Sequence, residues 1–326
     1  MTSINGFLRS LILLVLGSLA THASAQEYPN KPIRVIIPWG SGQSPDVIIR
    51  AIGQGITKQL GQPVVIENKP GATGAIGADF VAAAPADGYT LLDLATAYLI
   101  GRGMRGQPFD ANKDLAPIAM ITNSLTLLSV NTTAVKNVRT LDQLIAYTKA
   151  NPGQVINYGS SGIGSSTHLA MALITKKFNM NANHIPYKSG GQMMTDYLAG
   201  QLPAMVTDYT PVAQYFKTGQ LTPLMVLTPQ RSEQMPDVPT ARELGHPDVE
   251  VIISHGLSAP AGTPAPILEK LANAVRVSLQ DPEILAPLRA TGNRVVYMGL
   301  GQYATALNES YTKWMKFVQD NNIKAE

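Results

Sequence analysis

The same local pattern occurs twice in this chain, and it restricts the fold more than any other feature. Ile33-Arg34-Val35-Ile36-Ile37 is a short β-branched run, followed by the loop Pro38-Trp39-Gly40-Ser41-Gly42-Gln43 and an apolar-periodic stretch over residues 45–60. Val155-Ile156-Asn157-Tyr158 leads through Gly159-Ser160-Ser161-Gly162-Ile163-Gly164-Ser165 into a second such stretch over 167–178. Each unit reads as strand, glycine loop, helix. Ser44-Pro45-Asp46 sharpens the first helix start, with serine as N-cap, proline at the first helical position and an acid favoured by the dipole. Further strands are expected over 63–67, 90–94, 116–122, 125–131, 184–187, 204–207, 222–227, 249–253 and 256–259. Helices are expected over 75–84, 141–150, 191–199, 212–218, 265–280, 283–291 and 302–319. Alternation of this kind specifies an α/β protein.

With 45% hydrophobic and 14% charged residues in 326, the chain has the composition of a packed globular protein. The formal charge of +3 arises from scattered Lys and Arg without a basic block, so nucleic acid is not an expected partner. Residues 1–25 read as an export signal: Arg9 supplies the charged region, 10–20 the apolar region, and Ala23-Ser24-Ala25 the cleavage site, leaving Gln26 first. The apolar run falls short of the ~20 residues that span a bilayer. A soluble exported protein is expected. Zero cysteine removes disulfides, thiolate metal sites and cysteine nucleophiles together. The length favours two domains, and three late helices need a sheet begun earlier. The expected division is therefore 26–128 plus 230–326 as one lobe and 129–229 as the other.

A glycine loop feeding a helix lets main-chain N–H groups converge on an anion, and the helix dipole adds partial positive charge. Two such loops, one per lobe, would clamp a carboxylate; alternatively, each glycine merely permits a turn of positive φ. Enzyme signatures are absent: there is no G-x-S-x-G elbow, P-loop or H-E-x-x-H. His168, His184, His246 and His255 are widely scattered, so no metal, cofactor or catalytic residue is expected. Gly71-x-x-Gly74-x-x-Gly77 has the wrong spacing for a dinucleotide fingerprint and reads as a turn with close helix packing.

Five segments then carry a resemblance. They are Tyr28-Pro29-x-Lys31-Pro32-Ile33-Arg34, Gly61-Gln62-Pro63-Val64-Val65-Ile66-Glu67-Asn68-Lys69-Pro70-Gly71-Ala72, Asp87-Gly88-Tyr89-Thr90-Leu91, His184-x-Pro186-Tyr187-Lys188 and Ala259-Pro260-Ala261-Gly262-Thr263-Pro264. Together they closely resemble the Bug-type extracytoplasmic solute receptors of tripartite tricarboxylate transporters, over essentially the whole chain after the leader. The resemblance implies a type II periplasmic-binding-protein fold, two α/β lobes with a ligand cleft between them, and a periplasmic location. It also implies a small mono- or dicarboxylate ligand, aromatic ones included, and as partners the membrane permease subunits or a sensor protein.

The resemblance also implies ligand-binding positions. The first loop is similar to P-[FW]-x-x-G-G-x-x-D at Pro38, Trp39, Gly42 and Asp46, with Gly40 and Ser41 inside it. It departs at Gln43, which replaces the usual second glycine and offers an amide donor, and at Pro45, which has no N–H. The second is similar to Y-x-S-x-G-x-G-[ST]-x-x-H at Tyr158, Ser160, Gly162, Gly164, Ser165 and His168, and its helix would present the amides of Ser166 and Thr167. Asp208 would accept from a ligand amine or hydroxyl, or cap the next helix. Thr96 and Tyr98 follow the third strand on the usual ligand side of a parallel sheet. Trp39, Tyr98 and Tyr209 would face an aromatic ligand or simply pack. His255 stands where the family more often has an aromatic, and either tunes ligand choice or is structural. Two functions remain open at this level: a receptor delivering a carboxylate to a permease, or an exported hydrolase or transferase using the same cleft.

Overall fold

Runs such as 33–37 are apolar and β-branched, which disfavours a helix and suits a strand buried on both faces. The computed structural model describes residues 27–107, 113–151, 153, 155–187 and 190–324, so the expected leader and Lys188 lie outside the described residues. The chain begins with β1 (Ile33–Ile37), α1 (Ser44–Leu60), β2 (Val64–Asn68), α2 (Ala75–Ala82) and β3 (Thr90–Ala95). Helix α3 (Thr96–Met104) follows. It is not anticipated from the sequence, because Gly101 and Gly103 lower the helix propensity of so short a stretch. Next come β4 (Leu115–Asn123), β5 (Thr126–Asn131), α4 (Leu141–Ala150), β6 (Ile156–Ser160), α5 (Ser166–Lys177) and β7 (Ala182–Pro186). Helix α6 (Gly190–Leu198), β8 (Ala204–Asp208), α7 (Ala213–Lys217) and β9 (Leu221–Val226) complete the middle of the chain. The last elements are β10 (Ser254–Pro260), α8 (Ala265–Ser278), α9 (Pro282–Ala290), β11 (Arg294–Met298) and α10 (Leu300–Asp320).

Three sheets result. The largest has the order β11-β4-β10-β3-β1-β2, with β1 parallel to β2 and β3, and β10 antiparallel to β3 and β4. The others are an antiparallel β8-β5-β9 and a parallel β6-β7 pair. The chain leaves the large sheet between Asn123 and Thr126 and re-enters it at Ser254, and the two crossings touch: Ser124 N–H donates to the Ile253 carbonyl at 2.7 Å. The expected division at 128/129 therefore falls inside β5. That at 229/230 precedes Ala241, Val249 and Val251, which pack into the core of the smaller sheets. Residues 249–253, expected as a strand, contain the end of a 3-10 turn (Pro247–Val249) and then the return crossing, where the ladder is interrupted. Strand β11, not expected, adds an edge to the large sheet.

Helix α1 buries Ile48, Ile49, Ile52 and Ile56 against the large sheet and α8, an i, i+4 stripe that the sequence periodicity already showed. Each such side chain contributes about 1.5–3 kcal/mol by burial, and truncating Ile52 to alanine would cost about 2–5 kcal/mol. Helix α10 reaches across: Tyr303 and Leu307 join one core of the large sheet, while Trp314 and Val318 join that of the smaller sheets.

Candidate functional site

Strand β1 ends at Ile37, the chain turns through residues 38–43, and α1 begins at Ser44 with Gln43 as its N-cap, one residue earlier than expected. The Ser44 hydroxyl has another task, accepting from Asn293 Nδ2 at 2.7 Å in a buried setting. Asp46, in the first turn, folds back onto its own loop. Its carboxylate accepts the Gly42 N–H (3.0 Å), Ser41 Oγ–H (3.3 Å), Arg50 Nε–H (3.0 Å) and Asn68 Nδ2–H (3.0 Å). Burial alone would raise its pKa, but the bonds from Arg50, Gly42 and Asn68 outweigh that and hold it at about 2. These bonds make Asp46 a brace of its own loop and engage the Gly42 N–H. Gly42 takes φ +79°, the conformation this inward turn requires.

The second loop is braced from inside in the same way. Ser160 Oγ accepts the Gly162 N–H (3.2 Å) and lies 2.7 Å from His184 Nε2. Gly164 N–H donates to His168 Nδ1 (3.1 Å), which leaves the proton of this neutral ring on Nε2. His168 stacks on His184 with centroids 3.9 Å apart. Burial, aided by the His184 neighbour, pushes His168 down to about 3; burial pushes His184 down to about 4. Both rings are neutral supports. Gly164 sits at φ +79°, and a Cβ there would lie 2.8 Å from Met104 Sδ. Ser165 is the N-cap as expected, its Oγ accepting the His168 N–H at 3.3 Å. Among the described residues, the N–H groups of Ser166 and Thr167 have no protein acceptor. They are the ordinary orphans of a helix start.

A cavity of about 100 Å³ brings these parts together. Trp39, Gln43 and Pro45 line it from the start of α1, Ser161, Ser165, Ser166 and Thr167 from the start of α5, and Ala95 and Ala97 from the start of α3. Three helix N-termini thus face one small space, and no Lys or Arg lines it. The expected Thr96 and Tyr98 are one residue out of phase: both are buried on the opposite side, and Tyr98 Oη donates to Asp79 Oδ1 at 3.1 Å. A large amphipathic ring fills the core better there, leaving the small Ala95 and Ala97 to the cavity. Gly40, Ser41, Gly42, Asp46, Ser160, Gly162, Gly164 and His168 shape the loops from outside the lining. Tyr209 is also absent from it, packed against the cluster of Leu125 and Met235 beside Gly292.

The remaining wall is Asp208, His255 and Ile253. Asp208 Oδ1 accepts from Thr126 Oγ1 at 3.4 Å, and the helix after β8 is capped by Val212, so Asp208 is not its cap. Burial raises the Asp208 pKa, with His255 and Thr126 pulling the other way. His255 Nδ1 lies 3.3 Å from Asp93 Oδ1, both side chains buried. Burial would strip the ring of charge, but Asp93 and Asp208 reverse this and raise its pKa. With Nδ1 engaged by Asp93 and both acids favouring the charged ring, His255 is disfavoured as a general base. Among the described residues no group of three His, Asp or Glu is arranged for a metal. Pro45, Ala95, Ala97, Ser161 and Ile253 are lining residues that the sequence did not single out. No local signal marks Ala95 and Ala97, because the burial of Tyr98 against Asp79 is set by tertiary packing.

A match to the tripartite tricarboxylate transporter family receptor spans residues 48–323. BugT of Bordetella pertussis is 32% identical over 316 residues, covering 96% of each chain. MatC of Rhodopseudomonas palustris, solved with bound malate, has a TM-score of 0.79 at 27% identity over 89% of this chain and 100% of its own. Rpa4515 of R. palustris, solved with adipate, has a TM-score of 0.81 at 26% identity over 92% and 100%. The fold is thus that of the periplasmic solute receptors expected from the sequence. Such receptors act in the periplasm, which implies export, and work with the membrane subunits of their transporter. By family match, whole-chain identity and fold alike, the chain belongs to the Bug-type receptors of the tripartite tricarboxylate transporters, a family of solute-binding proteins and not of enzymes.

Proposed function

We propose that this receptor binds a small aliphatic mono- or dicarboxylate in the 100 Å³ cavity and delivers it to the membrane subunits of its transporter. One ligand carboxylate accepts from the N–H groups of Ser166 and Thr167, with Ala97 N–H and the Gln43 amide as further donors. Asp208 and His255 meet the ligand's other end, and Trp39 closes one side. Asp46, His168 and the loop glycines act by holding these donors in place. Residues 27–124 with 254–311 form one lobe and 125–253 the other, the end of α10 from Trp314 packing on the second, and they are hinged at the paired crossings Ser124 and Ile253, so that closure carries the two loops together. A sensor protein, the second partner class the resemblance implies, would read the same closure.

The observation that carries this reading is the convergence of three helix N-termini on a cavity lined by no Lys or Arg. Each terminus contributes about half a positive charge together with unsatisfied N–H donors. Malate and adipate, held by the two Rhodopseudomonas proteins, are carboxylates of the proposed class. An aliphatic ligand is favoured because Tyr98 and Tyr209, two of the three rings expected to face an aromatic one, lie elsewhere. Thermal melts with malate, adipate and their neutral methyl esters test the reading. At about 100 times its dissociation constant an acid should stabilise the protein by ~2.7 kcal/mol. Equal shifts from acid and ester would refute carboxylate capture.

A further inference from the structure

A second hollow, of about 310 Å³, shares no lining residue with the ligand cavity. One wall is the turn joining α9 to β11, from Arg289 to Val295, on the large-sheet side. The other is the segment 228–234 that follows β9 of the three-stranded sheet. Asn123, Leu125 and Ile252, at the two crossings, lie between them. Its width is therefore set by how the two sheets stand to one another.

Its charge is one-sided. Three arginines line it against one glutamate, Glu233. Arg231 is occupied by Glu243 and the Pro236 carbonyl. Arg289 and Arg294 are exposed, and among the described residues neither guanidinium has a hydrogen-bond or ion-pair partner. Beside them Ile252 is 44% exposed, and Asn123 Oδ1 is buried without a partner. Unpaired guanidinium forks match carboxylates in geometry and charge, and Ile252 adds one exposed apolar contact beside them.

We propose that this groove is where the receptor docks an acidic segment of its transporter's membrane subunit. The volume and the two guanidinium forks, with Ile252 beside them, suit a stretch of polypeptide better than a single small anion. Because its walls come from both sheets, the segment would engage one relative arrangement of the lobes better than others. The proposal rests on the family's partnership with membrane subunits and not on the carboxylate reading, so either can fail alone.

The test places a photo-crosslinking amino acid at Gln230, on the groove's lip, in protein expressed in its own host. Irradiation should join the receptor to an integral membrane subunit of the transporter, through a peptide carrying Asp or Glu. Arg289→Glu with Arg294→Glu should reduce the cross-link about tenfold or more, and added salt should weaken it in the parent. Calorimetric titration with malate and with adipate should be the same in variant and parent, since neither arginine lines the ligand cavity. If the double reversal does not fold, the Gln pair at the same positions replaces it, with the same expectation in direction. Cross-linking unchanged by charge reversal would overturn the proposal, as would a partner outside the membrane. So would a second malate-binding event abolished by the reversal, which would mark the groove as a site for free anions.

Discussion

Replacing Ser166 by proline removes one main-chain donor from the proposed carboxylate site while leaving the helix its internal bonds. Ser166 is the first residue of α5 after the N-cap Ser165, and its N–H has no protein acceptor among the described residues. Proline is accepted at this position because the missing N–H closes no helical turn. The residue before a proline must be extended, and Ser165 already is, at φ −64° and ψ 153°. Folding should therefore be nearly unaffected. Binding should not be: a hydrogen bond to a charged group is worth about 1.5–3 kcal/mol, which is a roughly ten- to hundredfold loss of affinity. Ser166→Ala keeps the N–H and should change affinity much less. Thr167→Pro also removes a free N–H, but the residue before it, Ser166, is helical, so this variant should lose some stability as well as affinity. Circular dichroism establishes that each variant is folded, and titration calorimetry uses malate or adipate, whichever gives the larger thermal shift with the parent. If both folded proline variants bind as tightly as the parent, the amides of the second loop do not hold the ligand.

Asp46→Asn should destabilise the protein by on the order of 2 kcal/mol at neutral pH, since folding lowers this carboxyl from 3.8 to about 2. That stability is complete above about pH 4 and is lost as pH falls through about 2, so chemical denaturation should show the variant and parent converging in acid. A gap independent of pH would refute the ion-pair account. Gly164→Ala should cost about 1–2 kcal/mol from its left-handed backbone alone, with the contact to Met104 Sδ adding to it. Adding Met104→Ala should recover only the contact portion in thermal melts; full recovery would show that backbone strain is absent. His255→Gln should destabilise by about 3 kcal/mol, because it leaves Asp93 buried without its cation. Folding raises the His255 pKa, so its contribution is full below about pH 6.5 and fades as pH climbs through the raised value. The difference from the parent should accordingly narrow at alkaline pH in urea melts; a difference that widens there would refute the assignment of charge.

The sequence by itself determined the class of fold and the two loops. Period-2 and period-3.6 apolar patterns, glycine after a strand and a serine cap are local signals, readable because they depend on residues a few positions apart. That is why Ser165 is the cap it was expected to be, and why the cavity lies between the loops 38–43 and 159–165. Tertiary structure decided which atoms of those loops remain available. Asp46 has the look of a ligand contact in one dimension, yet Asn68 and Arg50 reach it in three and consume its oxygens. His168 likewise turns to the Gly164 N–H under the stacked ring of His184. The choice of Ala95 and Ala97 over Thr96 and Tyr98 was also tertiary. Successive side chains at this helix start point about 100° apart, and only the partner across the core, here Asp79, says which of them is turned inward. The points where the chain changes sheet followed the same rule: Ser124 and Ile253, far apart in sequence, bond to each other, and no local pattern announces a contact of that range.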